Sequence, residues 1–174
     1  MTKRLSEKTV FKNKVFHVKD IEVNLNDKTH TFSILEKGDT ALLVPITENN
    51  EVIFIKEYFA AINEYQVALP KGRIENNLNA LETANKELQE EIGFKANKLD
   101  KIAVLTMSPG YFTQKTNVFV ARDLIESKLD GDEDSIIEIF KYPLSHFEDL
   151  INKGELTESR MISTLFLARS FLKR

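Results

Sequence analysis

The chain has 174 residues, 42% hydrophobic and 29% charged, a length for one domain at about 150 residues each and too apolar a composition for disorder. Its 27 acidic and 24 basic residues leave a net charge of −3, with no cationic field to gather nucleic-acid backbones. Cysteine is absent and the three histidines, His17, His30 and His146, are scattered, so thiolate and imidazole metal centres fall away and any metal must be held by carboxylates, which selects Mg2+, Mn2+ or Ca2+.

The charged N-terminus from Met1 to Val10 lacks the apolar core of a secretory leader, and no apolar run reaches the roughly 20 residues that cross a bilayer. A cytoplasmic protein without a membrane segment is expected. Alternation over 15–25 and 31–35, with Asn26-Asp27-Lys28 between, predicts an N-terminal hairpin. Residues 41–46 and 52–55 are apolar on both faces and predict buried strands, followed by an extended segment at 65–69. A helix is expected over 79–92, strands near 102–107, 117–121 and 136–142, and helices over 144–153 and 158–172. With no repeat or linker, these elements predict a single α+β domain over residues 1–174, its first 37 residues forming the hairpin.

One segment carries chemistry, Pro70 to Phe94. Asn79 and Glu82 have the spacing of a capping box, and Gly93 followed by Phe94 has that of a Schellman ending. On a continuous α-helix Leu81, Ala84, Leu88 and Ile92 form an apolar stripe, while Glu87, Glu90 and Glu91, at i, i+3 and i+4, converge on another face. Like charges so placed cost about 0.2–0.5 kcal/mol per pair, a sign that a divalent ion would reverse. A lone E-x-x-E-E is most often just a solvated helix face. Gly72, in a Pro-Lys-Gly turn, allows close backbone approach to the same acids.

Gly72 together with Lys86-Glu87-Leu88-Gln89-Glu90-Glu91-Ile92-Gly93-Phe94 resembles the Nudix box, which begins with Gly and ends R-E-U-x-E-E-x-G-U, U being a bulky aliphatic residue. Two positions depart from it: the internal Glu falls on Leu78 and the Arg on Lys86. In that family the two pair to brace the loop against the helix, so their joint change reads as a compensated structural one. The resemblance implies a Nudix-type α/β/α sandwich with a mixed sheet. It also implies Mg2+ or Mn2+ held by Glu87, Glu91, Glu90 and the backbone carbonyl of Lys71, with Glu90 and Glu133 as catalytic carboxylates, Glu133 as the general base. Glu133 lies in the acidic loop 129–135, which reads equally as a solvated turn.

Outside the box, Ile55-Lys56-Glu57-Tyr58, Tyr65, the Pro70-Lys71-Gly72 entry and Met107-Ser108-Pro109-Gly110-Tyr111-Phe112 are similar to the ADP-sugar branch of that family, and within it to the bacterial ADP compounds hydrolases. The implied activity is hydrolysis of the pyrophosphate bond of ADP-ribose, NADH or diadenosine triphosphate, with Lys56, Tyr58, Pro109 and Tyr111 as substrate contacts and a homodimer built through the hairpin. From the residues alone, Tyr111 and Phe112 suit either ring stacking on a ligand or packing, and Lys56 either a phosphate or an ion pair with Glu57. An Arg common at the end of the branch's strand motif falls on Phe59. The alternatives are a GDP-mannose-type nucleotide-sugar hydrolase and, given Leu78 and Lys86, a catalytically silent nucleotide sensor.

Overall fold

A computed structural model describes residues 3–75, 78–131 and 135–174, and the chain divides into two units by its contacts. One runs to Asp39 and takes in Thr106–Thr116; the other holds Thr40–Leu105 and Asn117–Arg174.

The first unit is an antiparallel meander of β1 (Lys3–Lys12), β2 (His17–Leu25) and β3 (Lys28–Glu36). Leu25 pairs with Lys28, so Asn26 and Asp27 alone make the turn, at φ 52° and 60°. Positive φ at both central residues is the hairpin geometry that matches strand twist, and Asn and Asp tolerate it. The predicted hairpin is therefore present, extended by β1, whose charged sequence and fully exposed surface left no apolar alternation to detect. Lys19 ties the three strands, reaching Glu7 on β1 and Glu36 on β3 at 2.8 Å each. In the 106–116 segment, Leu35 takes one bond from and gives one to the loop, through Tyr111 and Thr113.

The second unit contains β4 (Thr40–Pro45), β5 (Glu51–Phe59), β6 (Glu64–Ala68), β7 (Lys71–Arg73), β10 (Ile136–Pro143) and all but the ends of β8 (Phe94–Thr106) and β9 (Lys115–Glu126), whose Thr106, Lys115 and Thr116 fall in the first. Its helices are α1 (Ala80–Glu87), continued by a π-turn over Leu88–Ile92, then α2 (Glu148–Asn152) after a 3-10 turn at Leu144–His146, and α3 (Ser159–Leu172). Two sheets form, in the orders β10-β5-β6 and β7-β4-β9-β8. Ala41 to Pro45 and Val52 to Ile55 are buried on both faces, as their unbroken apolar runs require, and the core joins them to Leu88, Phe119, Phe147, Leu156 and Leu165.

Several boundaries moved. β8 and β9 run well beyond residues 102–107 and 117–121: the added residues of both strands mix charged with apolar side chains and are largely exposed, so no unbroken apolar run marks them. The stripe on α1 also changed: Ala84, Leu88 and Ile92 are buried, whereas Leu81 is 49% exposed and Thr83 takes the inward position in its turn. Register places the remainder of the site. Ala41 pairs with Gly72 and Leu42 with Lys71, and α1 packs against β4 and β7, so the acidic helix faces the β7 backbone.

Candidate active site

The capping box forms as its sequence prescribes, and Gly93 ends the helix in the left-handed region, though without the Schellman bond. The Asn79 side chain accepts from the N–H groups of Leu81 (3.0 Å) and Glu82 (2.9 Å), and Glu82 accepts from the Asn79 N–H at 3.0 Å. Gly93 closes the helix at φ 77°, the left-handed region open to glycine. Between these ends the continuous α-helix does not hold. From Leu88 the spacing widens, and the Gly93 N–H bonds to Leu88 five residues back instead of to Gln89 four back.

The three acids consequently have three different surroundings. Glu91 is 5% exposed, and its Oε2 accepts from the Lys71 N–H at 2.9 Å. Burial pushes its carboxyl up to about 8; the Lys71 charge and amide pull it down, and Glu87 and Glu57 push it up again. Glu87 lies against Gly72 so closely that a β-carbon there would overlap its carboxyl group, which only glycine avoids. Glu90 pairs with Lys86 at 3.2 Å on its own helix. The expected convergence of Glu87, Glu90 and Glu91 is thus replaced by a pair, Glu87 and Glu91, set on the Lys71–Gly72 backbone. Among the described residues no group of three or more acids and imidazoles is close enough to hold a metal ion.

The donors nonetheless suit a hard divalent cation. They are all oxygen, they include a carboxylate whose burial disfavours its charge, and they flank a backbone stretch kept open by glycine. Glu87, Glu91 and the Lys71 carbonyl are the groups placed to hold one, with Glu90 adjacent in sequence.

Two neighbours escaped the sequence reading. Glu57 holds the Lys71 ammonium by an ion pair, both side chains largely buried. Its signal was present, since Glu57 continues the inward face of Ile53 and Ile55 at a period of two. Glu57 thus makes its ion pair with Lys71, on the strand after β6. By the same alternation Lys56 and Tyr58 share the face opposite Glu57. There Tyr58 packs at a tilt against Tyr65, ring centroids 5.2 Å apart, and donates its hydroxyl to Asn63 at 2.7 Å. The second neighbour is Glu75, a loop acid three residues before Leu78, which reaches Lys86 at 4.0 Å between exposed side chains.

Pro109 and Tyr111 belong to the other unit, where the loop turns on Ser108 (φ 48°), whose carbonyl accepts from Tyr111 at 3.1 Å and Phe112 at 3.0 Å. Tyr111 is 59% exposed, so packing does not account for its ring, while Phe112 is half-buried. Glu133 lies outside the described residues. The loop that leads to it lines, with Glu90, Glu91 and Ile136, a cavity of about 360 Å³ through Lys128, Asp130 and Gly131.

The NUDIX domain model matches residues 36–165, the span that holds the acidic helix and β7. The chain belongs to the NUDIX domain family. Along 97% of its length it is 33% identical to the ADP compounds hydrolase NudE of Escherichia coli, covering 92% of that protein. It is 29% identical to the ADP-ribose pyrophosphatase of Bacillus subtilis, over 91% of this chain and 90% of that one. The crystal structure of an ADP compounds hydrolase superposes with a TM-score of 0.88 and 33% identity, covering 99% of this chain and 94% of its own. The α+β sandwich predicted from the sequence is the fold observed.

Proposed function

We propose that the chain is a divalent-metal-dependent pyrophosphohydrolase of ADP-linked compounds, working as a cytoplasmic homodimer and cleaving ADP-ribose, NADH or diadenosine triphosphate to AMP and a second phosphorylated fragment. The observation that carries the reading is the Glu87 and Glu91 pair on the Lys71–Gly72 backbone. Similarity along nearly the whole chain to an ADP compounds hydrolase and an ADP-ribose pyrophosphatase supports the substrate class. Exposed Leu5, Val10, Phe11 and Val15 on the N-terminal unit support the dimer.

Water adds across the P–O–P link: its oxygen bonds to one phosphorus, the bridging oxygen leaves with the other, and the two water protons pass to base and product. A bound divalent cation supplies polarisation of a phosphoryl oxygen and activation of water. The chain's own residues supply the rest. Glu87 and Glu91 present their carboxyl oxygens beside the strand, Lys71 pairs with Glu57, and Lys86 links Glu90 to the preceding loop. Glu133 is the base in this reading, and Lys56, Tyr58, Pro109 and Tyr111 are the substrate contacts.

The test is incubation with ADP-ribose, NADH and diadenosine triphosphate in Mg2+ or Mn2+, with products separated by ion exchange. AMP from at least one substrate, absent with chelator and absent in Glu91→Gln, is the expected result. GMP from GDP-mannose with no AMP from the other substrates would move the chain to the sugar-nucleotide reading. Ligand-induced thermal stabilisation with no product would make it a silent sensor.

A further inference from the structure

The π-turn has a definite effect on hydrogen bonding. In a continuous α-helix the Gln89 carbonyl would accept from the Gly93 N–H, but that N–H goes to Leu88. The released Gln89 carbonyl accepts instead from the Leu129 N–H at 3.2 Å, and the Gly93 carbonyl accepts from the Ser127 N–H at 2.9 Å. The Gln89 side chain adds a third tie: its Nε2 donates to the Asn85 carbonyl at 2.9 Å and its Oε1 accepts from the Ser127 hydroxyl at 2.9 Å. One residue thereby fastens the segment after β9 to the acidic helix with both its backbone and its amide. Farther along that segment Gly131 lies so near Glu90 that a β-carbon would stand 3.2 Å from the Glu90 Cβ. Lys128, Asp130 and Gly131 are thus held as one wall of the cavity beside Glu90 and Glu91.

We propose that Gln89, a position that the Nudix pattern leaves free, is a positioning residue that fixes the 127–131 segment against the acidic helix and so sets the cavity in which hydrolysis takes place. The proposal rests on the hydrolase reading for its catalytic consequence only; the tie itself is tested without turnover.

Gln89→Leu keeps the size of the side chain and removes both its bonds. The expected result is amide exchange faster by about tenfold at Ser127 and Leu129 with unchanged exchange in α1. With ADP-ribose and Mg2+, kcat should fall about ten- to a hundredfold while KM and the Mg2+ activation constant stay within about twofold. Ser127→Ala should shift exchange at the same two amides, Ser127→Thr, which keeps the hydroxyl, should restore wild-type values, and the double variant should be no worse than Gln89→Leu. Unchanged exchange at Ser127 and Leu129, or a rise spread evenly over α1 and the core strands, overturns the proposal, as does a loss of turnover confined to KM. If the wild type releases no AMP, the hydrolase reading fails while the exchange result still decides the role of Gln89.

Discussion

Glu91 supplies a prediction in which stability and function oppose each other. Its carboxyl titrates at about 8 in the folded chain against an ordinary 4.5, the cause being burial, with Lys71 opposing and Glu87 and Glu57 reinforcing. Because the folded value is the higher one, the proton is bound more tightly in the fold. The stabilisation is complete below about 4.5 and is lost as pH rises through about 8. Between pH 5 and pH 7.5 the chelated wild type should therefore lose about 3 kcal/mol, at 1.36 kcal/mol per tenfold change in proton binding. Glu91→Gln keeps an acceptor for the Lys71 N–H and has no charge to bury. It should match the wild type at pH 5 and exceed it by about 3 kcal/mol at pH 7.5, while losing turnover. Urea unfolding in chelator at both pH values measures this, and Mg2+ should restore the wild type at pH 7.5 but not the variant. Parallel pH slopes in the two proteins, or a variant weaker than the wild type at pH 7.5, would refute the argument.

Replacing Lys71 by Met removes the positive charge that opposes burial at Glu91, so the loss of stability in the chelated protein should start near 4.5 as before, extend to higher pH and be larger in total, read from the same urea series. Gly72→Ala forces the Glu87 carboxyl away from β7; calorimetric titration with Mn2+ should show at least about tenfold weaker binding, each factor of ten being 1.4 kcal/mol. Asn79→Ala removes both acceptor bonds of the capping box and should lower the urea-derived unfolding free energy by about 1 kcal/mol, with kcat unchanged.

How legible the molecule was in its sequence depends on whether a residue's partner is local. The capping box, the Gly93 ending and the hairpin turn at Asn26 and Asp27 depend on neighbours within a few positions, and each forms where the residues put it. The 40–45 and 51–59 strands were readable because burial on both faces leaves an unbroken apolar run. The π-turn was not readable: nothing in Leu-Gln-Glu-Glu-Ile departs from α-helical preference, and its released carbonyl is taken by Leu129, 40 residues away. Lys71 with Glu57 and Glu75 with Lys86 are likewise long-range pairs, fixed by strand register and helix packing. Strand β1 was missed for a third reason, that a strand exposed along its whole length has no buried face to impose a pattern.

That exposure bears on how the protein can assemble. β1 is the outer strand of its sheet, and an open edge of this kind can template further strands without limit. Here the edge carries Lys3, Arg4, Glu7, Lys8 and Lys12, and its register slips twice, between Arg4 and Ser6 and between Thr9 and Phe11. Charge and irregular register both spoil the flat, evenly spaced ladder that an incoming strand needs. The meander is consequently blunted against edge-to-edge growth, and its exposed apolar side chains cannot recruit a further strand through that edge.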